Sequence, residues 1–493
     1  MIRKIHIALG AATLIAMFTA IPAMMFVAKA SVPGIAAAAK CAAPTDLSRL
    51  DHVLSRTMRR IAAGLPITVV ALGKIGLPLA VQFADRGHQV VGADVNAATV
   101  DLVNAGIEPF PGEAHLAEKL ADVVGRGLLT ATTDTTTAVA ESDAVVVVVP
   151  LFVDADGVPD FGWMDAATRD IARGLTPGTL VSYETTLPVG TTRSRFLPML
   201  EKGSGLTTGS DYFLVFSPER VFTGRVFADL RKYPKLVGGV DDESAKRGVA
   251  FYEAVLEFDE RPDLDRPTGV WDLGSAEASE LAKLAETTYR DVNIGLANQF
   301  ARFAADNGID VYQVIAASNS QPFSHIHLPG IAVGGHCIPI YPRMYLWNDP
   351  AATVVRAARE ANADMPSYAV GVLEGAYGDL AGARVAVLGA AYRGGVKETA
   401  FSGVFPTVEA LRARGATVLV HDPMYTDDEL VGYGWQPYHL GDAVDAAIVQ
   451  ADHAAYRAVS STDLPGVKVL VDGRRVTDAA LFSGVDRRVI GTA

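Results

Sequence analysis

Ile67-Thr68-Val69-Val70-Ala71-Leu72 is an apolar, β-branched run that empties into Gly73-Lys74-Ile75-Gly76. A helix-forming stretch carrying Leu79, Val81 and Phe83 follows, and a second apolar run, Gln89-Val90-Val91-Gly92-Ala93, stops at Asp94. Strand, glycine turn, helix, strand and acid are the parts of a dinucleotide-binding βαβ unit. Gly73 lets the backbone approach a pyrophosphate, with Lys74 and Ile75 lining the same turn, and Gly76 lets the helix lie close on the strand. Asp94 stands 18 residues past Gly76, near the roughly 20 expected of a ribose 2′-hydroxyl ligand. An acid there repels a 2′-phosphate, so the pattern selects NAD over NADP. The first position of the fingerprint is Ala71 instead of glycine, and a methyl group fits the tight turn only while φ stays negative.

The same alternation runs on in both directions. Ala144 to Val149 reads as a buried strand ending at Pro150, where ligands approach an open parallel sheet. Thr179 to Tyr183 leads into Glu184-Thr185-Thr186, and Asp211 to Phe216 leads into Ser217-Pro218-Glu219-Arg220. Thr186 and Glu219 therefore sit at strand ends beside the cofactor turn, where a solvated loop is the ordinary alternative for each. In the last third, Arg384 to Gly389, Thr417 to Pro423, Ala446 to Val449 and Val467 to Asp472 read as strands, with a helix over Phe405 to Arg414. This second doubly wound unit has no glycine fingerprint. Its strand ends carry Tyr392, Arg393, Lys397 and Arg474, which suit either a phosphate or a solvated rim.

Between the two units, Ser275 to about Asn307 has one glycine, Gly295, and no proline. Such a helix spans roughly 50 Å, enough to join two domains. Ala278, Leu281, Ala285, Thr288 and Val292 recur at three- and four-residue steps as an apolar stripe. Lys283 lies next to it, three residues from both Glu280 and Glu286, a spacing that a surface ion pair also explains. Ser318 to His336 reads as a loop, and Ala351 to Tyr377 as helix again. The loop ends in Gly334-Gly335-His336-Cys337. Cys337 is one of two cysteines in 493 residues, the other being Cys41. A thiol behind two glycines is either a small packing residue or a nucleophile that a ligand can approach.

The predicted fold is α/β, two Rossmann-like doubly wound domains joined by a long central helix. The expected domains are an N-terminal extension over 1–57, a NAD-binding domain over 58–268, a central helical domain with the catalytic loop over 269–376, and a second Rossmann-like domain over 377–493. Hydrophobic residues make up 49% and charged residues 20%, as in globular chains. A formal net charge of −13 argues against nucleic acid and anionic lipid as partners. Two cysteines with no Cys/His spacing exclude a disulfide framework and give no metal site. Residues 5–27 are apolar behind Arg3 and Lys4, like a secretory signal or a membrane anchor. A start further along, for instance at Met58, is the favoured reading because the cofactor is cytosolic. The expected location is the cytoplasm, with membrane contact only if residues 5–27 are retained.

Six motifs in order resemble the UDP-glucose/GDP-mannose dehydrogenase family from Ile67 to the C-terminus. They are Gly73-Lys74-Ile75-Gly76-Leu77-Pro78, Thr185-Thr186-Leu187-Pro188-Val189-Gly190-Thr191-Thr192, Ser217-Pro218-Glu219-Arg220-Val221, Glu280-Leu281-Ala282-Lys283-Leu284-Ala285-Glu286, Tyr289-Arg290-Asp291-Val292-Asn293-Ile294 and Gly334-Gly335-His336-Cys337. The resemblance implies a UDP-sugar substrate, a homodimer through the central helix, and a four-electron oxidation of a sugar C6 alcohol with two NAD. By position it makes Cys337 the nucleophile of a thiohemiacetal and thioester, and Lys283 a fixed cation for the oxyanion. Glu219 and Thr186 would handle water and protons. It also places Glu219, Arg220, Lys283, Thr287, Gly334, Gly335 and Arg393 against the substrate. The Ser-Pro-Glu-Arg and Tyr289 to Ile294 motifs look like the UDP-N-acetylhexosamine branch. UDP-N-acetylmannosamine is thus the first choice, then UDP-N-acetylglucosamine, then UDP-glucose. The chain departs from the family pattern where Thr287 replaces the usual Asn, where Tyr341 replaces the usual Asp four residues after the cysteine, and near Phe401, where an Arg is usual. Two other readings stand beside this one: a two-electron hydroxyacid dehydrogenase, which needs no cysteine, and a nucleotide-sugar binding protein without turnover.

Overall fold

A computed structural model describes residues 64–154, 157–222 and 224–492. The expectations for residues 1–57, including Cys41, lie outside the described residues. Among the described residues no helix is long and apolar enough to cross a membrane.

The first sheet takes β1 (Pro66–Val70), β2 (Gln89–Ala93), β3 (Leu129–Thr132) and β4 (Ala144–Val147). A small antiparallel ribbon, β5 (Phe152–Val153) with β6 (Pro159–Asp160), stands apart. The sheet then continues through β7 (Leu180–Tyr183), β8 (Phe213–Phe216), β9 (Lys235–Gly239) and β10 (Val270–Asp272). Its order is β10-β9-β8-β7-β4-β1-β2-β3, and the neighbours are parallel except β8 with β9. β1 lies between β2 and β4, so the chain reverses its direction of winding there and opens a crevice at the strand ends. The runs are continuously apolar because helices cover both faces. Ile67, Val69, Val145, Val146, Val147, Val181 and Leu214 are all buried.

The second sheet holds β11 (Arg384–Leu388), β12 (Thr417–His421), β13 (Gln436–Pro437), β14 (Ala446–Val449), β15 (Val469–Asp472) and β16 (Asp486–Val489). Every pair in its order, β13-β12-β11-β14-β15-β16, is parallel. Its reversal falls between β11 and β14.

The central helix runs from Ala276 to Asp306, with Ser275 as its cap accepting from the Ala278 N–H at 3.1 Å. Gly308, at φ +69°, follows its end. Gly295 lets the neighbouring helix pack closely at mid-helix, since a methyl group there would lie a tight 3.1 Å from the Ala358 carbonyl oxygen. The stretch from Ala351 to Tyr377 is two helices, Thr353–Ala363 and Met365–Tyr377, because Pro366 can only begin a helix.

One expectation is corrected. Ala71 takes φ +75° and not a negative angle. The methyl group is accommodated at the cost of left-handed strain, because β1 and the helix at Gly76 fix the turn from both sides. The residues of the apolar stripe on the central helix do not share one environment: Leu281 and Ala285 are exposed, Ala278 and Val292 half-buried, and Thr288 buried. The inner face carries Glu280, Lys283, Thr287, Asp291 and Asn298. Polar groups can occupy that position because most find a partner there.

Candidate active site

The cofactor turn opens over β1. A side-chain carbon placed on Gly73 would meet nothing within 4 Å, whereas one on Gly76 would run into the Ala71 carbonyl oxygen. The first glycine therefore leaves a cradle and the second secures the helix against the strand. Asp94 is held at the tip of β2, its two oxygens accepting from the N–H groups of Leu72 at 2.7 Å and Asn96 at 2.8 Å. Pro150 lies exposed past the end of β4. An open glycine turn at the sheet's reversal with a fixed acid beside it fits a dinucleotide with a free ribose 2′-hydroxyl. Lys74 does not point into empty space. Its ammonium pairs with Glu398 of the second sheet at 2.8 Å, and Glu398 also faces His336 at 3.3 Å.

Cys337 sits at the mouth of helix Tyr341–Asn348, its carbonyl accepting from the Tyr341 N–H at 2.9 Å. Lys283 is 4% exposed, too buried for the surface ion pair that its spacing allows. Burial pulls its ammonium pKa below the ordinary value, and the neighbouring Cys337, Glu286 and Glu219 oppose that pull. The Lys283 Nζ lies 5.7 Å from the centre of the Tyr341 ring. Burial and the nearby Cys337 raise the Tyr341 hydroxyl pKa above its ordinary value, while Thr186 opposes the rise. Cys337, Lys283, Thr186 and Glu219, four residues from four separate segments, thus come together with Tyr341 among them.

Glu219 is held from behind. Lys235 reaches it at 2.9 Å and reaches Glu184 at 2.8 Å. The Tyr252 hydroxyl donates to Glu184 at 2.6 Å. Burial alone would raise the Glu219 pKa, but Lys235 and the Arg220 N–H outweigh it and hold the carboxyl below its usual range. For Glu184 burial wins over Lys235, and its carboxyl is raised. Lys235 is held above its ordinary value, as burial is outweighed by the two carboxylates. Neither Lys235 nor Glu184 was singled out from sequence. The available signal was a charge at the head of an apolar strand, Lys235-Leu236-Val237, which had to find a buried partner.

Other expected residues have nearby partners. Arg220 donates to the Pro234 carbonyl at 2.6 Å and faces Glu286 at 3.4 Å. The Thr287 hydroxyl turns back on its own helix, 3.0 Å from the carbonyls of both Lys283 and Leu284. Gly334 and Gly335 pack the loop onto the second sheet. A side chain on Gly334 would meet the Tyr392 Cβ at 2.5 Å, and Gly335 takes φ +91°. Of the cations at the second sheet's edge, Lys397 pairs with Glu429 at 2.6 Å, and Arg393 extends outward beside the Tyr392 hydroxyl at 3.2 Å. Arg474 is turned inward, donating to the carbonyls of Gln450 at 3.1 Å and of Ala332 at 3.2 Å.

Three models of the UDP-glucose/GDP-mannose dehydrogenase family match in order: the NAD binding domain over 65–256, the central domain over 277–364 and the UDP binding domain over 386–479. The chain is 33% identical over 435 residues to the UDP-N-acetyl-D-mannosamine dehydrogenase of Pyrococcus horikoshii, covering 85% of this chain and 99% of that one. It is 30% identical over 418 residues to the Escherichia coli K12 protein of the same name, covering 81% and 96%. The solved structure of the Pyrococcus horikoshii protein superposes with a TM-score of 0.76 at 32% identity, over 86% of this chain and 99% of that one. A UDP-glucose dehydrogenase from Pyrobaculum islandicum gives a TM-score of 0.76 at 27% identity, over 87% and 98%. With all three domain models matched in sequence and the relatives covered almost end to end, the chain belongs to the UDP-glucose/GDP-mannose dehydrogenase family.

Proposed function

We propose that this chain oxidises the C6 alcohol of a UDP-N-acetylhexosamine to the carboxylate, with UDP-N-acetyl-D-mannosamine as its first substrate. UDP-N-acetylglucosamine and UDP-glucose follow in that order. The observation that carries the reading is the buried Lys283 ammonium beside the Cys337 thiol and the Glu219 carboxylate, at the crevice of a NAD-binding sheet. Lys235, equally buried, is offset by two carboxylates at 2.8 and 2.9 Å, whereas burial lowers the Lys283 pKa, and negative charge developing in a reaction would offset the cost of burying Lys283.

Bound NAD supplies the hydride acceptor for each of two oxidations. Asp94 receives the ribose hydroxyls, and the Gly73 turn with Pro150 leaves the space that the dinucleotide needs. Glu219 takes up the proton of the C6 hydroxyl, with the Thr186 hydroxyl as a relay. Cys337 adds its sulfur to the aldehyde carbon, and Lys283 meets the oxyanion. The second oxidation leaves a thioester on Cys337. Water then adds to the acyl carbon with its proton passing to Glu219, the carbon–sulfur bond breaks, and the electron pair returns to sulfur. Arg220, Thr287, Gly334, Gly335 and Arg393 line the path of the UDP-sugar. The domains divide at 58–268, 269–376 and 377–493, the protein works in the cytoplasm, and it pairs with a second copy through the central helix.

The test is a count. The purified chain with NAD and a panel of UDP-sugars is expected to form two NADH per sugar consumed, most rapidly with UDP-N-acetylmannosamine. Cys337→Ala is expected to form no acid. One NADH per sugar with free aldehyde, or full acid formation by Cys337→Ala, overturns the mechanism. Tight UDP-sugar binding with no NADH from any sugar identifies a binding protein instead.

A further inference from the structure

Asp291 is a carboxylate that the reaction above does not use, and it is fully buried on the inner face of the central helix. Its Oδ1 accepts from the Arg359 guanidinium at 2.7 Å and from the Asn362 side-chain amide at 2.8 Å. The same amide donates to the Asp291 main-chain carbonyl at 3.0 Å. Asn362 in turn accepts from the Asn298 amide at 2.8 Å, and Asn298 accepts from the Gly330 N–H at 2.9 Å. Asn298 and Asn362 are buried like Asp291, so these bonds form in a low-dielectric interior. Their order of donors and acceptors has one solution. A carboxylate and a carbonyl can only accept, so Asn362 must turn its NH2 toward Asp291 and its oxygen toward Asn298. Asn298 must then give its NH2 to that oxygen, which leaves its own oxygen for Gly330.

Gly330 begins the stretch that leads to Cys337, and Arg359 also lies 3.5 Å from the carbonyl of Ile338, the residue after the thiol. One carboxylate therefore bears on the chain on both sides of Cys337. A different asparagine of the helix, Asn293, holds the loop further upstream, accepting from the His327 N–H at 2.8 Å. We propose that Asp291 is a positioning residue for Cys337: it sets the sense of the Asn362–Asn298 relay and so holds the segment from Gly330 to Ile338 in place. The inference rests on Cys337 being the nucleophile. Sulfur has to reach the aldehyde carbon in a narrow range of distance and angle, and a misplacement of about 1 Å costs on the order of 100-fold in rate. The relay itself moves no proton during the reaction.

The experiment is amide hydrogen exchange of the full chain without NAD or sugar, read at single residues by fragmentation mass spectrometry, alongside steady-state kinetics. Asp291→Leu removes the acceptor at similar volume. Asn362→Leu cuts the relay at its middle and leaves the pair of Asp291 with Arg359 intact. Each is expected to speed exchange at Gly330 by about tenfold or more, as for a buried hydrogen bond whose acceptor is no longer oriented, with His327 unchanged. The kcat is expected to fall by roughly 10- to 100-fold while the KM for NAD, which binds at the first sheet, does not move. Asp291→Asn still offers one oxygen to Arg359 and Asn362, and its NH2 replaces Oδ2, which has no hydrogen-bond partner among the described residues. That variant is expected to keep both readouts near the parent values. If thermal melting shows that Asp291→Leu does not fold, Asn362→Leu decides. A folded leucine variant with parental exchange at Gly330, with exchange raised equally at His327, or with kcat unchanged overturns the proposal. So does an Asp291→Asn chain as impaired as Asp291→Leu. The exchange readout needs no turnover, so failure of the NADH count condemns the proposed reaction, while an unmoved Gly330 amide condemns only the role of Asp291.

Discussion

Ala71 holds a left-handed backbone, φ +75°, where the first strand turns toward its helix. A methyl group in that region strains the residue by about 1–2 kcal/mol, and glycine at the same point loses some of the gain to greater freedom in the unfolded chain. Ala71→Gly is accordingly expected to stabilise the protein by about 0.5–1 kcal/mol in urea unfolding. A destabilised glycine variant would mean that the methyl group packs favourably enough to offset its strain. The replacement itself was plain in the sequence, but the angle was not. Nothing local to Ala-Leu-Gly sets the sign of φ; the turn is held between β1 and the helix at Gly76, and the Ala93 carbonyl of β2 accepts from the Ala71 N–H at 2.7 Å.

The central helix shows how an element can be located from sequence while its facing stays open. Its limits were legible because Ser275 caps one end and Gly308 lies past the other. Its facing was not, because periodicity finds a stripe without saying what the stripe touches. The buried side is polar, and Glu280 shows why that is tolerated: it accepts from the Gly190 N–H at 2.5 Å, the Thr192 N–H at 2.9 Å and the Thr192 hydroxyl at 2.7 Å. Burial still outweighs these donors and pushes its carboxyl pKa up to about 7. The folded chain therefore keeps a proton that the unfolded chain gives up near pH 4.3. Between about pH 4 and 7 the folded state binds more protons, so stability is expected to fall as pH rises across that window, by roughly 3 kcal/mol in all. Glu280→Gln, which mimics the protonated form, should remove this slope. Thermal midpoints of parent and variant are to be compared from pH 5 to 8, and parallel curves would contradict the account. Two strands at sheet edges were missed for a different reason. β3 mixes Leu129 with Thr130 and Thr132, and β16 is Asp486-Arg487-Arg488-Val489, since edge strands need no continuous apolar run.

In the whole molecule the two sheets repeat one device and meet over one loop. Asp94 at the end of β2 accepts the Leu72 N–H at 2.7 Å, and Asp422 past β12 accepts the N–H groups of Ala390 at 2.9 Å and Ala391 at 3.0 Å. In each sheet an acid pins the first turn of the neighbouring strand. The loop that leads to Cys337 is tied to the second domain's loops by Arg474 at the Ala332 carbonyl, 3.2 Å, and by the Gly335 N–H at the Ala400 carbonyl, 2.8 Å. These long-range ties bring Cys337 to Lys283, and no spacing in the sequence contains them, whereas the motifs that they join were each legible alone. What the fold leaves uncovered is the outer face of the central helix. Leu281, Tyr289, Leu296, Phe300 and Phe303 are exposed along one stripe, Phe303 to 63%. A long row of large apolar groups at helical spacing marks an association surface. A second copy of the same helix is the expected occupant, pairing the stripe with itself about a twofold axis. Charges set into such a seam must be desolvated, so Leu296→Glu with Phe303→Glu is expected to weaken dimerisation by about 100-fold or more. Light scattering at micromolar concentration should then give the monomer mass for the variant and twice that mass for the parent, with NAD binding retained. A parent that is monomeric, or a variant with the same mass as a dimeric parent, rules out this face as the seam.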